Sequence, residues 1–389
     1  MTDIEQRLRE ELKAAASTAQ PYMLRELALP SRRRRGAGAP GWLAPVTAVI
    51  AVIAVIVGVQ VIFRPARSVP RPAATGTMPQ FYVAYRPPGT AVVAHSATGT
   101  VISRIVIPGA RIVGITGAPD DRTFALSAFS GSGAGEVTRF YAFHLTAGGR
   151  PGRLEVLPLS VRAGSAGYDV NSIALSPDAR SLAVAVVPAS LEGTRPTAAH
   201  RSRIEIATLG TGAVRTWVAA SETNVSDLSW ADRGRLGYRS NDLRGFPRSP
   251  TVIRMNLLDT TRPGTELVTS GTEVTLHTGG APVDTALFTA GGSTVIAWTD
   301  PEPGSSAEVL AAYSARTGQR QRVLYRGPGH GNFVVQGDLL SADPSGRHLL
   351  MNVLTVQSGG PMVFGRLDNG RFTKLPGPAG ELASLPAAW

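Results

Sequence analysis

Four aspartates recur at intervals that could assemble one site. Asp169, Asp227, Asp284 and Asp338 repeat with a near-constant period of about 54–58 residues, and each stands a little ahead of a turn that repeats with a similar period. Carboxylates brought around one opening would form a negative mouth suited to a cation, an amine or a basic peptide. The alternative is local: each acid caps its own turn or pairs with a nearby arginine such as Arg111. Other chemistry is sparse. The six histidines (His95, His144, His200, His277, His330, His348) show no H-x-H or H-E-x-x-H spacing, so no pair is placed to share a metal ion. There is no cysteine, which removes thiol nucleophiles, disulfides and cysteine-ligated zinc. No G-x-S-x-G nucleophile elbow occurs, and GSGAGE at 131–136 lacks the lysine of a phosphate-binding loop. Asn224–Ser226 matches a glycosylation sequon by composition alone. These absences predict no catalytic residue, cofactor or metal ligand, and a chain that is not an enzyme.

The elements that must hold the aspartates are read from the pattern of the remaining residues. In 389 residues there are 43 Gly and 29 Pro, and the formal net charge is +11. Many tight turns are implied and long helices cannot dominate. Residues 1–65 carry nine Arg/Lys and five Asp/Glu, including the run Arg32–Arg35. The residues just beyond that run argue against a nucleic-acid partner. Gly36 to Phe63 contains no charge, and Leu43–Phe63 is an unbroken apolar-dominated stretch, about 31 Å as a helix, which matches a bilayer core. The absence of an A-x-A site after Phe63 weighs against a cleavable signal peptide.

The predicted order is therefore a cytoplasmic leader over residues 1–41, a single transmembrane helix over 42–63, a proline-rich stalk over 64–80 and an extracytoplasmic domain over 81–389. The arginine run sets the N-terminus inside. Ile4, Leu8 and Leu12 recur every four residues in the leader, an amphipathic stripe that could meet a cytoplasmic partner or lie on the membrane surface. Four prolines in residues 64–80 describe an extended spacer.

Beyond Gln80 the chain becomes short β-rich runs separated by Gly, Pro, Asn and Asp. The segments GAPDDRTFALSAF, LSPDARSLAVAVV, WADRGRLGYRS, FTAGGSTVIAW and ADPSGRHLLMNVL share a strand, a tight turn and a second strand. Their turns place Pro119, Pro177, Asp232, Ala290 and Pro344 in register, at steady steps of about 54–58 residues. Each unit has room for four strands. Trp389 resembles Trp230 of the third unit, so the C-terminal strand should complete a sheet with the three strands of residues 81–107. The expected fold is all-β: a six-bladed β-propeller of four-stranded antiparallel blades, closed by joining the two ends.

The turn Ser176–Arg180, with Ala118–Arg122 and Asp343–Arg347 as variants, resembles the repeat signature of TolB-like, WD-repeat-like bacterial β-propellers. The leader, span, stalk and propeller together resemble membrane proteins of high-GC Gram-positive bacteria. The resemblance implies fold and location and supplies no activity. The function read from sequence is a membrane-anchored, extracytoplasmic, non-catalytic module that binds a protein, peptide or envelope ligand. Two alternatives accompany it: a transmembrane regulator whose leader holds a signalling or sigma factor, and an envelope hydrolase or lyase using acids and His330 at the propeller mouth.

Overall fold

A computed structural model describes residues 77–389, except 133–135, 163–167, 189–200, 221–222, 243–251, 265, 302–306, 328–336, 355–361 and 377–385. The leader stripe Ile4, Leu8 and Leu12, the apolar run Leu43–Phe63 and most of the proline-rich segment fall outside the described residues. Among those described, no helix is long and apolar enough to cross a membrane.

Six four-stranded antiparallel sheets form the structure. In chain order, β1 (Phe81–Arg86), β2 (Thr90–His95) and β3 (Val101–Ile105) are completed by β24 (Ala387–Ala388). The five other blades are contiguous. The first holds β4 (Ala110–Gly117), β5 (Thr123–Ser130), β6 (Val137–His144) and β7 (Glu155–Arg162). The second holds β8 (Tyr168–Leu175), β9 (Ser181–Pro188), β10 (Arg203–Thr208) and β11 (Val214–Val218). The third holds β12 (Thr223–Trp230), β13 (Arg235–Asp242), β14 (Val252–Asp259) and β15 (Gly271–Val274). The fourth holds β16 (Val283–Phe288), β17 (Thr294–Thr299), β18 (Val309–Ser314) and β19 (Arg320–Arg326). The fifth holds β20 (Gly337–Ala342), β21 (His348–Leu354), β22 (Met362–Asp368) and β23 (Arg371–Lys374). The all-β reading and the joining of the two ends stand as expected.

Burial explains why these runs are strands. In β9, Leu182, Val184 and Val186 point toward the first blade, while Ala183 and Ala185 point toward the third. A strand covered on both faces is apolar without interruption, and its two-residue period decides which side chain serves which neighbour. The described residues form six apolar clusters, and each is shared by two adjacent blades. Cohesion therefore runs around the ring.

The repeated turns are the same object in most blades. Asp121, Ala179, Gly292 and Gly346 all have positive φ, at 58°, 54°, 65° and 65°, each two residues after the aligned position. That conformation favours glycine, and an aspartate is among the residues that tolerate it. Asp121 also acts across the seam. Its Oδ2 accepts the Gln80 N–H at 2.6 Å and its Oδ1 accepts the Phe81 N–H at 3.3 Å, tying the first blade to β1.

Candidate functional site

The innermost strand of each of the five contiguous blades breaks register near its start. The irregularities lie between Ile112 and Gly114, Val170 and Ser172, Ser226 and Ser229, Val283 and Thr285, and Leu339 and Ser341. A bulge re-aims the extra residue out of the ladder. The residues so displaced are Val113, Asn171, Asp227 with Leu228, Asp284 and Leu340, and all line one central channel of about 500 Å³. Three successive blades thus contribute polar groups, and the fifth and first contribute aliphatic ones.

The residue after each bulge fixes the ring. Ser172 Oγ accepts the Leu228 N–H at 3.0 Å, Ser229 Oγ the Phe288 N–H at 2.9 Å, Thr285 Oγ1 the Leu339 N–H at 3.3 Å and Ser341 Oγ the Trp389 N–H at 3.5 Å. Gly114 takes this position in β4, where a Cβ would lie 2.4 Å from Ser127 Oγ. Thr116 Oγ1 accepts the Leu175 N–H at 3.2 Å instead. Each bond links one blade to the next, so the girdle holds the channel's diameter. Ser229→Ala leaves the half-buried Phe288 N–H without its acceptor and is expected to cost about 1–2 kcal/mol, read by chemical denaturation.

Asp227 is the most constrained of the acids. It has φ of 52°, its Oδ2 lies 2.9 Å from Arg239 Nε, and the same oxygen accepts the Ala286 N–H at 3.2 Å. Arg239 Nε also donates to Ser226 Oγ at 3.1 Å. Asp284, one blade further on, is half-buried in the same channel. Asp169 stands two residues before the bulge of its strand, is exposed, and is not among the channel residues. Asp338 occupies the matching place in β20, in register with Asn352. The structure brings Asp227 and Asp284 together in the channel and leaves Asp169 out of it. Among the described residues Arg239 meets Asp227, while Arg111 lies over the Phe129 ring at 5.9 Å.

Two further acids line the channel on the side of the repeated turns. Asp343 is buried and spends its oxygens on its own turn, accepting from Ser345, Arg347 and His348. Asp121 has its pKa pushed up to about 6, chiefly by burial, against the lowering effect of the Gln80 and Phe81 N–H groups and of Arg122. Among the histidines, His348 Nδ1 lies 2.7 Å from Asp368 Oδ1, while His200 and His330 fall outside the described residues. Among the described residues no three His, Cys, Asp or Glu side chains are grouped to hold a metal ion.

Sequence reasoning missed Arg239, Asn171 and the hydroxyl girdle. A signal for the girdle exists, since Ser172, Ser229, Thr285 and Ser341 recur with a steady period of about 56 residues. Arg239 had none, because it reaches the channel from the second strand of its blade.

No family model and no curated protein matches the chain. Solved structures do. One comes from a structural and mechanistic analysis of two prolyl endopeptidases, at 13% identity and TM-score 0.43, covering 77% of this chain and 38% of that one. Another is an oligogalacturonate lyase in complex with manganese, at 11% identity and TM-score 0.44, covering 70% of each chain. This chain thus spans well under half the length of the endopeptidase. Both structures are of enzymes, which corrects the expectation from sequence that a chain of this kind is not one. Neither likeness assigns this chain an activity.

Proposed function

We propose that the central channel is a binding site for a small polar ligand or the end of a peptide, carried on a propeller tethered outside the membrane by Leu43–Phe63. The observation that carries the reading is the set of bulges. They turn Asn171, Asp227 and Asp284 into a cavity of about 500 Å³, a size ordinary for small-ligand sites. The polar side formed by Asn171, Asp227, Arg239 and Asp284 suits a polar group, and the aliphatic arc of Val113 and Leu340 suits the ligand's apolar side.

The test is calorimetric titration of the full chain in detergent micelles with trialanine. Val113→Trp, which fills the channel away from Arg239, is expected to weaken binding at least tenfold. Equal affinity in that variant, or no binding of any small peptide by the native protein, refutes the channel as the site. The tether is checked separately. The chain should partition with membranes, and external protease should digest the propeller while sparing residues 1–41.

A second reading, hydrolysis or elimination at the same mouth, is favoured by one feature. Asp227 is held beside a guanidinium while a second carboxylate, Asp284, lines the same channel from the next blade, so two carboxyl groups face one cavity. Product analysis of glycan and peptide incubations, comparing the native chain with Asp284→Asn, decides it.

A further inference from the structure

We infer that Arg239 anchors the ligand, and that the ligand presents a carboxylate to it; the inference rests on the channel reading above. The guanidinium has five N–H donors in a planar fork. Its Nε is committed to Asp227 Oδ2 and Ser226 Oγ. The two terminal nitrogens make no hydrogen bond among the described residues, although the side chain is only 15% exposed and lines the channel. Donors that face a channel in this way are open to an acceptor that enters it. A carboxylate supplies two parallel acceptor oxygens that match the fork.

The orientation of the fork is fixed from behind. Asp227 cannot swing freely, because it occupies a left-handed backbone position inside a bulge and its Oδ2 also receives the Ala286 N–H from the next blade. The ion pair therefore aims the guanidinium as well as balancing its charge. That balance selects the ligand further. With Asp227 already paired to Arg239, a bare anion gains little from the field of the channel. A zwitterion brings a carboxylate to Arg239 without adding net negative charge beside Asp227. Short unblocked peptides and amino acids have this chemistry, and the aliphatic side of the ring accommodates their side chains.

The experiment compares trialanine with its C-terminal amide by calorimetry, using the full chain, Arg239→Lys and Arg239→Gln. Native protein is expected to bind the free acid at least tenfold more tightly than the amide. Arg239→Lys keeps the positive charge without the fork, and should bring that ratio close to one; Arg239→Gln should abolish the preference. Thermal melts of both variants identify any that has unfolded, and Lys is the variant expected to stay folded. Equal binding of acid and amide by the native chain, or an undiminished preference in folded Arg239→Lys, overturns the assignment. In that case continued sensitivity of the amide to Val113→Trp leaves the channel standing as the site. Failure of every peptide to bind removes both readings together.

Discussion

Trp389→Ala is expected to lower the unfolding free energy by about 3–5 kcal/mol, the range for removing a fully buried tryptophan. For a domain of this size that is a fall in melting temperature of roughly 6–12 °C. The size of the effect comes from how the ring is closed. The inner strands β4, β8 and β12 each run for eight residues, whereas β24 has two, with Ala387 and Ala388 in register with Ala84 and Val83. One further backbone bond, Tyr85 N–H to Pro386 O at 2.9 Å, extends the pairing. Among the described residues the closing ladder is short, so side-chain burial carries much of the closure. Trp389 is 4% exposed and meets Tyr82 edge-on at 6.5 Å, in a cluster with Leu350, Phe364 and Leu375. The seam is tight on its other side too: a Cβ on Gly117 would lie 1.8 Å from the Trp389 carbonyl oxygen. Val268→Ala, at a residue 71% exposed, is the control and should change stability by less than about 0.5 kcal/mol. A Trp389→Ala protein that melts with the control would mean that the ring does not depend on this closure.

The fold was legible because it is written in two periods at once. Alternation over β9 or β17 marks a strand, and the turns at Pro119, Pro177, Ala290 and Pro344 mark the blade. Both are local signals repeated often enough to outweigh individual losses, such as the missing proline at Asp232. The site was legible only in part, and the reason is one of register. Counting back from the turn puts Asp169 and Asp338 alongside Asp227 and Asp284. A bulge adds a residue, however, and in a strand one residue decides which side of the sheet a side chain serves. Aligned on the bulges, the equivalents are Asn171 and Leu340. No residue type announces a bulge here: the displaced positions are Val, Asn, Asp with Leu, Asp and Leu. Arg239 was hidden for a different reason. It meets Asp227 from the neighbouring strand, through the pairing of Ser226 with Arg239, a contact that exists only once β12 and β13 are in register.

The difference in stability between the native chain and Asp121→Asn is expected to shift by about 1–3 kcal/mol between pH 4 and pH 7, with the native chain losing ground as pH rises. The sign follows from the direction of the pKa. Burial pushes the Asp121 carboxyl from its ordinary 3.8 up to about 6, against the lowering effects of the Gln80 and Phe81 N–H groups and of Arg122. Below pH 4 the group is protonated whether the chain is folded or not, and its contribution is fully present. Between pH 4 and about 6 the unfolded chain releases the proton and the folded chain keeps it, so stability falls. Above that range both forms are ionised and the loss is complete. Asp232 works the other way: the raising effect of its burial is outweighed by the Arg235 side chain and the Gly234 N–H, which hold its carboxyl below the usual range. Its contribution is present above the unfolded value and is lost on acidification, so only the difference from Asp121→Asn isolates the seam. Chemical denaturation of both proteins at pH 4, 5, 6 and 7 measures it. A difference that stays flat would put the Asp121 carboxylate in free contact with water. A slope of the expected sign would show that the buried Asp121 carboxyl, at the junction between β1 and the first blade, favours the folded chain most when it carries its proton.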